Sequence, residues 1–192
     1  MLFRSGGVTY RVAAFDYYLQ TGDEACTDHH VTLVPDTALY DGVMNDADTT
    51  TGGYAGSKMR TSGLDTAKAT ISSAFGADHI LSHRQLLSNA VSSGAISGWS
   101  WYNSQVELLS EKMVYGSYAW GGGAQEGHNT GIGKSQLALF QARPDLITTR
   151  QDWWLRDVQS AAHFCGVTND GYANFWTASA PVYVRPAFSI IG

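Results

Sequence analysis

The part of the chain that decides the fold begins with Trp153-Trp154-Leu155-Arg156-Asp157-Val158 and ends with Val184-Arg185-Pro186-Ala187-Phe188. Its β-prone pieces are 153–156, 164–167 and 182–191, and Gly171 and Pro181 separate them. Short runs of β-branched and aromatic residues between turn-forming residues are typical of strands. The sequence therefore predicts that this part of the chain folds as several short strands.

Upstream of this segment, the pattern predicts strands at 8–19 and 31–34. Apolar residues at helical spacing predict a helix over 64–75, with Ser62 or Asp65 as the cap and Gly76 as the stop. A capping box of Ser104 and Glu107 predicts a second helix that ends at Gly116, and a short helical turn is expected at 85–90. Few helices among many strands predict one α+β domain over 1–192, with two main helices, a small mixed or antiparallel sheet and long loops.

The composition favours a recognition surface over a site for charged metabolites. The chain has 192 residues, of which 44% are hydrophobic and only 15% are charged, against about 25% in average proteins. Its net charge of −5 gives no basic footprint for nucleic acid. No apolar run reaches the roughly 18 residues of a membrane span, and residues 1–7 lack the apolar core of a signal peptide, so we expect neither membrane insertion nor secretion by that route.

The motifs that could indicate catalysis or cofactor binding are incomplete. Residues 131–135 read Gly-Ile-Gly-Lys-Ser, but a phosphate loop needs glycine where His128 stands. Asp46 and Asp48 resemble the start of a calcium loop, but its glycine and bidentate acid positions hold other residues. His29 and His30 are adjacent at the entry to a strand, so one is expected to be buried and the other exposed. We therefore predict no catalytic residues, no metal and no cofactor.

The cysteines leave two alternatives open. Cys26 and Cys165 are far apart in sequence, which fits neither a disulfide framework nor a metal knuckle. Two free thiols are the simpler interpretation, and a single long-range bridge is the other.

The last 35 residues, 158–192, concentrate the low charge of the whole chain. Asp170 and Arg185 are the only charged residues there, and aromatic side chains alternate with small polar ones. Tyrosine and tryptophan give large contact areas at a small entropic cost, while Ser, Asn and Gly adapt their hydrogen bonds to a ligand. A plain pair of core strands is the alternative interpretation. The polar turn at 168–174 that precedes Phe175 and Trp176 favours exposure of some aromatic residues.

These motifs resemble those of phage-encoded proteins whose C-terminal C-type-lectin-fold domain is the variable protein of a diversity-generating retroelement. The resemblance is carried by 14–19 (Ala-Phe-Asp-Tyr-Tyr-Leu), 27–35, Met44-Asn45 with 52–57 (Gly-Gly-Tyr-Ala-Gly-Ser), 106–116 and the two closing motifs quoted above. It implies a C-type-lectin-like fold in which 153–188 is the variable, ligand-binding segment. The positions that correspond to variable ones are His163, Cys165, Gly166, Thr168, Asn169, Asp170, Tyr172, Asn174, Phe175, Trp176, Thr177, Ala180, Val182 and Tyr183.

The resemblance also implies a function, a location and partners. The expected protein lies on the surface of a phage virion, in its head or tail, and binds a host-surface or mucosal protein or glycan non-covalently. Other virion proteins and further copies of the chain, possibly as a trimer, are the expected partners. One alternative is a structural virion protein with a fixed lectin-like fold. Another is an enzyme of the formylglycine-generating type, which would need a pair of nearby cysteines for copper.

Overall fold

The computed structural model describes residues 2–121 and 136–192. The strands are β1 (Leu2–Ser5), β2 (Val8–Phe15), β3 (Val31–Pro35), β4 (Tyr40–Gly42), β5 (His83–Ser92), β6 (Ala95–Ser104), β7 (Val106–Leu108), β8 (Trp153–Val158), β9 (His163–Val167), β10 (Ala173–Thr177), β11 (Val182–Val184) and β12 (Pro186–Ile190). The α-helices are α1 (Asp65–Phe75), α2 (Glu111–Tyr115) and α3 (Ala138–Ala142). A π-helical turn covers Met59–Gly63, and 3₁₀ turns cover Ala77–His79 and Pro144–Ile147.

The strands form two five-stranded sheets and one hairpin. The first sheet has the order β1-β2-β3-β12-β7, the second has the order β10-β9-β8-β11-β4, and β5 pairs with β6. Every pairing between these strands is antiparallel except that of β8 with β11, which is parallel. The fold is therefore α+β and rich in sheet, as the sequence predicts.

The second sheet is covered on both faces near its centre. Successive side chains of a strand point to opposite faces, and all six residues of β8 are buried. Trp153 and Leu155 belong to a core cluster with α2 and α3, whereas Trp154 belongs to the larger cluster that contains α1 and the first sheet. The C-terminal strands are thus built into the core at β8, and their side chains become more accessible towards β10.

Several local predictions are confirmed. Strands cover the expected β-prone pieces, except that the first ends at Phe15 and not at Leu19, and α1 ends at Gly76, whose φ is 86°. His30 is buried, while the His29 side chain is 82% exposed. Cys26 and Cys165 are both buried free thiols, so the bridge is excluded.

Other predictions of local structure are wrong. Residues 106–108 form β7, because Val106 pairs with Phe188 of β12, and the helix begins only at Glu111 with Ser110 as its cap. Residues 85–90 lie within β5, because they pair with β6. The cap of α1 is Leu64, which makes no side-chain capping bond. Since α2 and α3 have five residues each, α1 is the one long helix among the described residues, and the sheets are larger than expected.

Candidate ligand-binding face

The edge strand β10 presents the predicted site residues on two different faces. Phe175 lies opposite Cys165 of β9 and shares its face, whereas Trp176 lies opposite Phe164 and shares the other face. Hydrogen bonds to the β9 side continue just beyond both ends of β10. At one end Thr168 N donates to the Tyr172 carbonyl at 2.8 Å, and at the other Ala178 N donates to the Ala162 carbonyl at 2.8 Å. The strand is therefore fixed in register against β9 over its whole length.

Trp176 belongs to the scaffold rather than to an open surface. Its ring meets the Trp154 ring edge-on, at 6.0 Å between centroids and 90° between planes, and it covers Gly166. A Cβ atom at Gly166 would collide with the Trp176 ring and would lie 2.7 Å from the Trp153 carbonyl oxygen. A side chain at Gly166 would therefore displace Trp176 from its packing position.

Three predicted site residues are corrected, because they are buried. Cys165 and Val182 are 0% and 5% exposed, and Gly166 lies under the Trp176 ring. Ala180 is half-buried and packs against the larger core cluster. A ligand at the surface cannot touch Cys165 or Val182 in this structure, since both side chains point into filled core.

The turn between β9 and β10 carries the polar candidates, and neighbouring segments hold it rigidly. Thr168 Oγ1 donates to the Asp170 carboxylate and accepts from Tyr172 N at 2.9 Å. Asn169 N donates to Asp152 Oδ1 at 2.7 Å, and Tyr115 Oη donates to the Gly171 carbonyl at 3.1 Å. Asn169, Asp170 and Tyr172 remain exposed, with Tyr172 71% accessible. The turn thus combines a fixed backbone with free side chains.

Gly171 is required at this turn. Its φ is +95°, a region that side-chain-bearing residues rarely adopt, and a Cβ atom there would lie 2.7 Å from Thr148 Oγ1.

An aromatic cluster forms on the face of β10 that carries the Phe175 side chain. The Phe175 ring meets the Trp120 ring at 5.2 Å and 74°, and it meets the His163 ring at 5.4 Å and 83°. Trp120 is 50% exposed, and its Nε1 donates to the Ala173 carbonyl at 3.1 Å, next to Tyr172 in the chain. We name Trp120, His163 and Phe175 the aromatic rim, which adjoins the turn that carries the exposed Tyr172.

Trp120 is a member of the rim that sequence reasoning missed. The fully buried Glu111 carboxylate holds its loop, accepting bonds from Ala119 N at 3.2 Å, Trp120 N at 3.1 Å and Gly121 N at 2.7 Å. Bonds from several amides to one carboxylate are strong and directional. Glu111 therefore fixes the position of Trp120. In the sequence, the only signal for this position is an aromatic residue that precedes a glycine run.

Few charged side chains lie near the rim, and they already make hydrogen bonds within the protein. Asp48 Oδ1 accepts bonds from Ser179 Oγ at 2.6 Å and Ser179 N at 3.1 Å, which lower the pKa of this carboxyl, with further contributions from Thr177 and His163. His163 Nδ1 lies 2.8 Å from Ser160 Oγ. Thr177 lies opposite His163 in the β9–β10 ladder, so both stand at one end of the rim.

Tyr183 lies apart from the rim. It is 37% exposed and pairs with Trp153, in the same sheet row as Val167 and Ala173. Three strand spacings, about 14 Å, therefore separate Tyr183 from Ala173. Asn174, opposite Gly166, points to the face of Trp176 rather than to that of Phe175.

Neither a metal centre nor a membrane span is found in the described part of the chain. Over residues 2–121 and 136–192, no three His, Cys, Asp or Glu side chains come together as a metal site would require. Among these residues no helix has the length and apolar character needed to cross a membrane. The Gly131-Ile132-Gly133-Lys134-Ser135 motif and His128 lie outside the described residues. Comparison with protein-family models, curated proteins and solved structures gives no match to this chain.

Proposed function

We propose that this protein is a non-enzymatic recognition protein of a phage virion surface, which binds a host-surface ligand through the aromatic rim and the adjoining turn. The observation that carries the proposal is the combination of exposure and backbone rigidity at the rim and the adjoining turn. Tyr172 and Trp120 are 71% and 50% exposed, yet hydrogen bonds to buried or paired groups hold the backbone on either side of them. Aromatic side chains on a fixed backbone have few rotatable bonds and lose little entropy on binding, so such a surface gains affinity from preorganisation.

The proposal includes a C-type-lectin-like fold and a diversified C-terminal segment. In support of it, the closing motifs occupy buried strands, since β8 is wholly buried and Arg185 is fully buried with Nε donating to the Pro35 carbonyl at 3.0 Å. Exposed candidates stand between these motifs: the side chains of Asn169, Asp170 and Tyr172 can change without disturbing the core, whereas Thr168 is half-buried and its hydroxyl holds the turn. Cys165, Gly166 and Val182 cannot change in this way, and we exclude them from the proposed contact surface.

Several copies on one virion are also part of the proposal. A rim of a few aromatic residues gives one chain a small contact area, and binding of several linked copies raises the apparent affinity through effective concentration. We propose a symmetric homo-oligomer, such as a trimer, that directs its rims outward and attaches to other virion proteins through a different surface.

The binding test compares two exposed aromatic residues of nearly equal accessibility. Tyr172 is 71% exposed in the turn beside the rim, and Phe15 is 72% exposed at the end of β2. Fluorescently labelled protein is incubated with a panel of bacterial strains and bound protein is measured by flow cytometry. We expect Tyr172→Ala to reduce binding to a positive strain at least tenfold and Phe15→Ala to leave it unchanged. Equal effects, or no binding to any strain, would refute the proposal.

Diversification is tested at the gene. Sequencing the gene across a population is expected to show substitutions at the codons for Asn169, Asp170 and Tyr172, with none at Trp153–Val158. An adenine-rich near-copy of codons 153–188 beside a reverse-transcriptase gene would supply the source of the variation. Variation spread evenly along the gene would reduce the proposal to a fixed binding protein.

A further inference from the structure

A fully buried arginine at the junction of β11 and β12 carries hydrogen-bond donors that the described residues leave unpaired. Arg185 is 0% exposed, and its Nε donates to the Pro35 carbonyl at 3.0 Å. Within the part of the chain that the structure describes, its Nη1 and Nη2 atoms have no hydrogen-bond partner. Buried polar groups nearly always find a partner, so two unpaired nitrogens on one side chain point to a bound acceptor.

The positive charge of Arg185 also lacks a counter-charge of its own. Among residues 2–121 and 136–192, Arg185 forms no ion pair. The charge of Asp36 acts on Arg185, but Asp36 is itself paired with Arg11, whose charge acts in the opposite direction. Burial lowers the pKa of Arg185 to about 10, so the guanidinium is still protonated at neutral pH. A buried charge without compensation is strongly destabilising, so a negative charge is needed beside it.

The aromatic rings around the guanidinium stabilise its charge but do not satisfy its hydrogen bonds. Arg185 Cζ lies 5.4 Å from the centre of the Phe140 ring and 5.0 Å from that of the Trp153 ring, which are cation–π distances. Trp153 adds a third donor, because its Nε1 is buried and has no partner among the described atoms either. Indole Nε1 and guanidinium nitrogens can only donate. Arg185 and Trp153 therefore bring several unpaired donors, and no acceptor, to one part of the core.

We propose that Arg185 binds a small monovalent anion, chloride, with Trp153 Nε1 as a further donor. A chloride ion supplies both the acceptor and the negative charge that the guanidinium lacks, whereas a water molecule supplies only the acceptor. Because Arg185 is 0% exposed, a doubly charged oxyanion such as sulfate would lose more hydration free energy on entering this core than a halide does. The site does not involve the aromatic rim. It ties the junction of β11 and β12 to β8 and makes the stability of the fold depend on chloride.

The first test measures thermal unfolding in sodium chloride and in sodium gluconate at equal ionic strength. A ligand that binds only the folded state raises the melting temperature, here by about 5–10 °C once chloride exceeds its dissociation constant about 100-fold. Trp153→Phe removes one donor but keeps a ring, so it should reduce this rise. Trp154→Phe is the matched control, since Trp154 is equally buried but its Nε1 donates to the Gly42 carbonyl at 2.9 Å. It should lower the melting temperature in both salts and retain the full rise.

The second test locates the anion. Crystals of the protein are soaked in sodium bromide, and we expect an anomalous difference peak within hydrogen-bonding distance of Arg185 Nη1 or Nη2. A water molecule at that place, without an anomalous signal, would overturn the proposal. The same conclusion would follow if chloride and gluconate gave equal melting temperatures, or if the rise were equal in Trp153→Phe and Trp154→Phe. Arg185→Met should abolish the rise, and if this variant does not fold, the pair of tryptophan variants still decides. None of these outcomes depends on binding to cells, so the proposed function is tested separately.

Discussion

Replacing Trp176 with alanine tests whether this residue stabilises the fold or is free to bind a ligand. The Trp176 ring packs edge-on against Trp154 and covers Gly166, and it is half-buried in the native state. Truncating a fully buried tryptophan costs about 3–5 kcal/mol, and most of the Trp176 side chain is buried, so we expect a cost of at least about 2 kcal/mol. For a chain of this size, about 2 kcal/mol lowers the melting temperature by about 4–8 °C.

The matched variant is Tyr172→Ala, since this side chain is 71% exposed in the same segment. An exposed substitution outside the core usually changes the free energy of unfolding by less than about 0.5 kcal/mol. The assay is urea denaturation followed by far-UV circular dichroism, which avoids the changed tryptophan fluorescence. Equal loss of stability in both variants, or a loss for Tyr172→Ala alone, would refute the assignment of Trp176 to the scaffold and Tyr172 to the surface.

Three further predictions concern buried groups. Glu111→Ala leaves the Trp120 loop without its carboxylate, and we expect a loss of about 3 kcal/mol in urea denaturation and weaker cell binding; unchanged stability would contradict the role of Glu111. Burial lowers the pKa of His83 from 6.5 to about 3, so only the unfolded chain gains a proton between these values. Stability should be complete above pH 6.5 and fall by up to about 1.4 kcal/mol per pH unit towards pH 3, and His83→Gln should flatten this dependence in denaturation curves at several pH values. Burial also raises the pKa of the Cys26 and Cys165 thiols, so Ellman's reagent should label them only after unfolding; rapid labelling of the native protein at pH 8 would contradict this.

The C-terminal strands were predictable because their own residues specify them. Trp153–Val158 and 164–167 are rich in aromatic and β-branched residues and end at turn residues, and both form strands. The helix α1 was predictable for the same reason, since Ala67 and Ile71 lie four residues apart and are both buried.

The capping box shows how a local signal can be satisfied in a different structure. Ser104 Oγ donates to Glu107 Oε1 at 2.8 Å, so the two side chains do interact as their spacing suggests. They do so beside a strand, because Val106–Leu108 pair with β12, which lies about 80 residues later in the chain. Tertiary pairing of this kind cannot be deduced from a window of a few residues.

The candidate site could be located only in part. The segment that contains Tyr172 and Phe175 was found from its low charge and its aromatic residues, but the sequence could not show that Trp176 faces the core. Side chains alternate between the two faces of the sheet along β10. Which of them face the core depends on how β10 pairs with β9. Trp120 reaches the rim through Glu111, a contact between a loop and a buried carboxylate that has no motif.

The most direct test of the account is site-specific photocrosslinking on a bacterial strain that the protein binds. A benzophenone amino acid replaces Tyr172 in one variant and Phe15 in another, two positions that are 71% and 72% exposed. We predict a crosslinked product with a host-surface molecule from position 172 and none from position 15. Crosslinking from position 15 alone, with none from position 172 in a variant that still binds the cells, would show that the ligand does not lie at the turn and the adjoining rim.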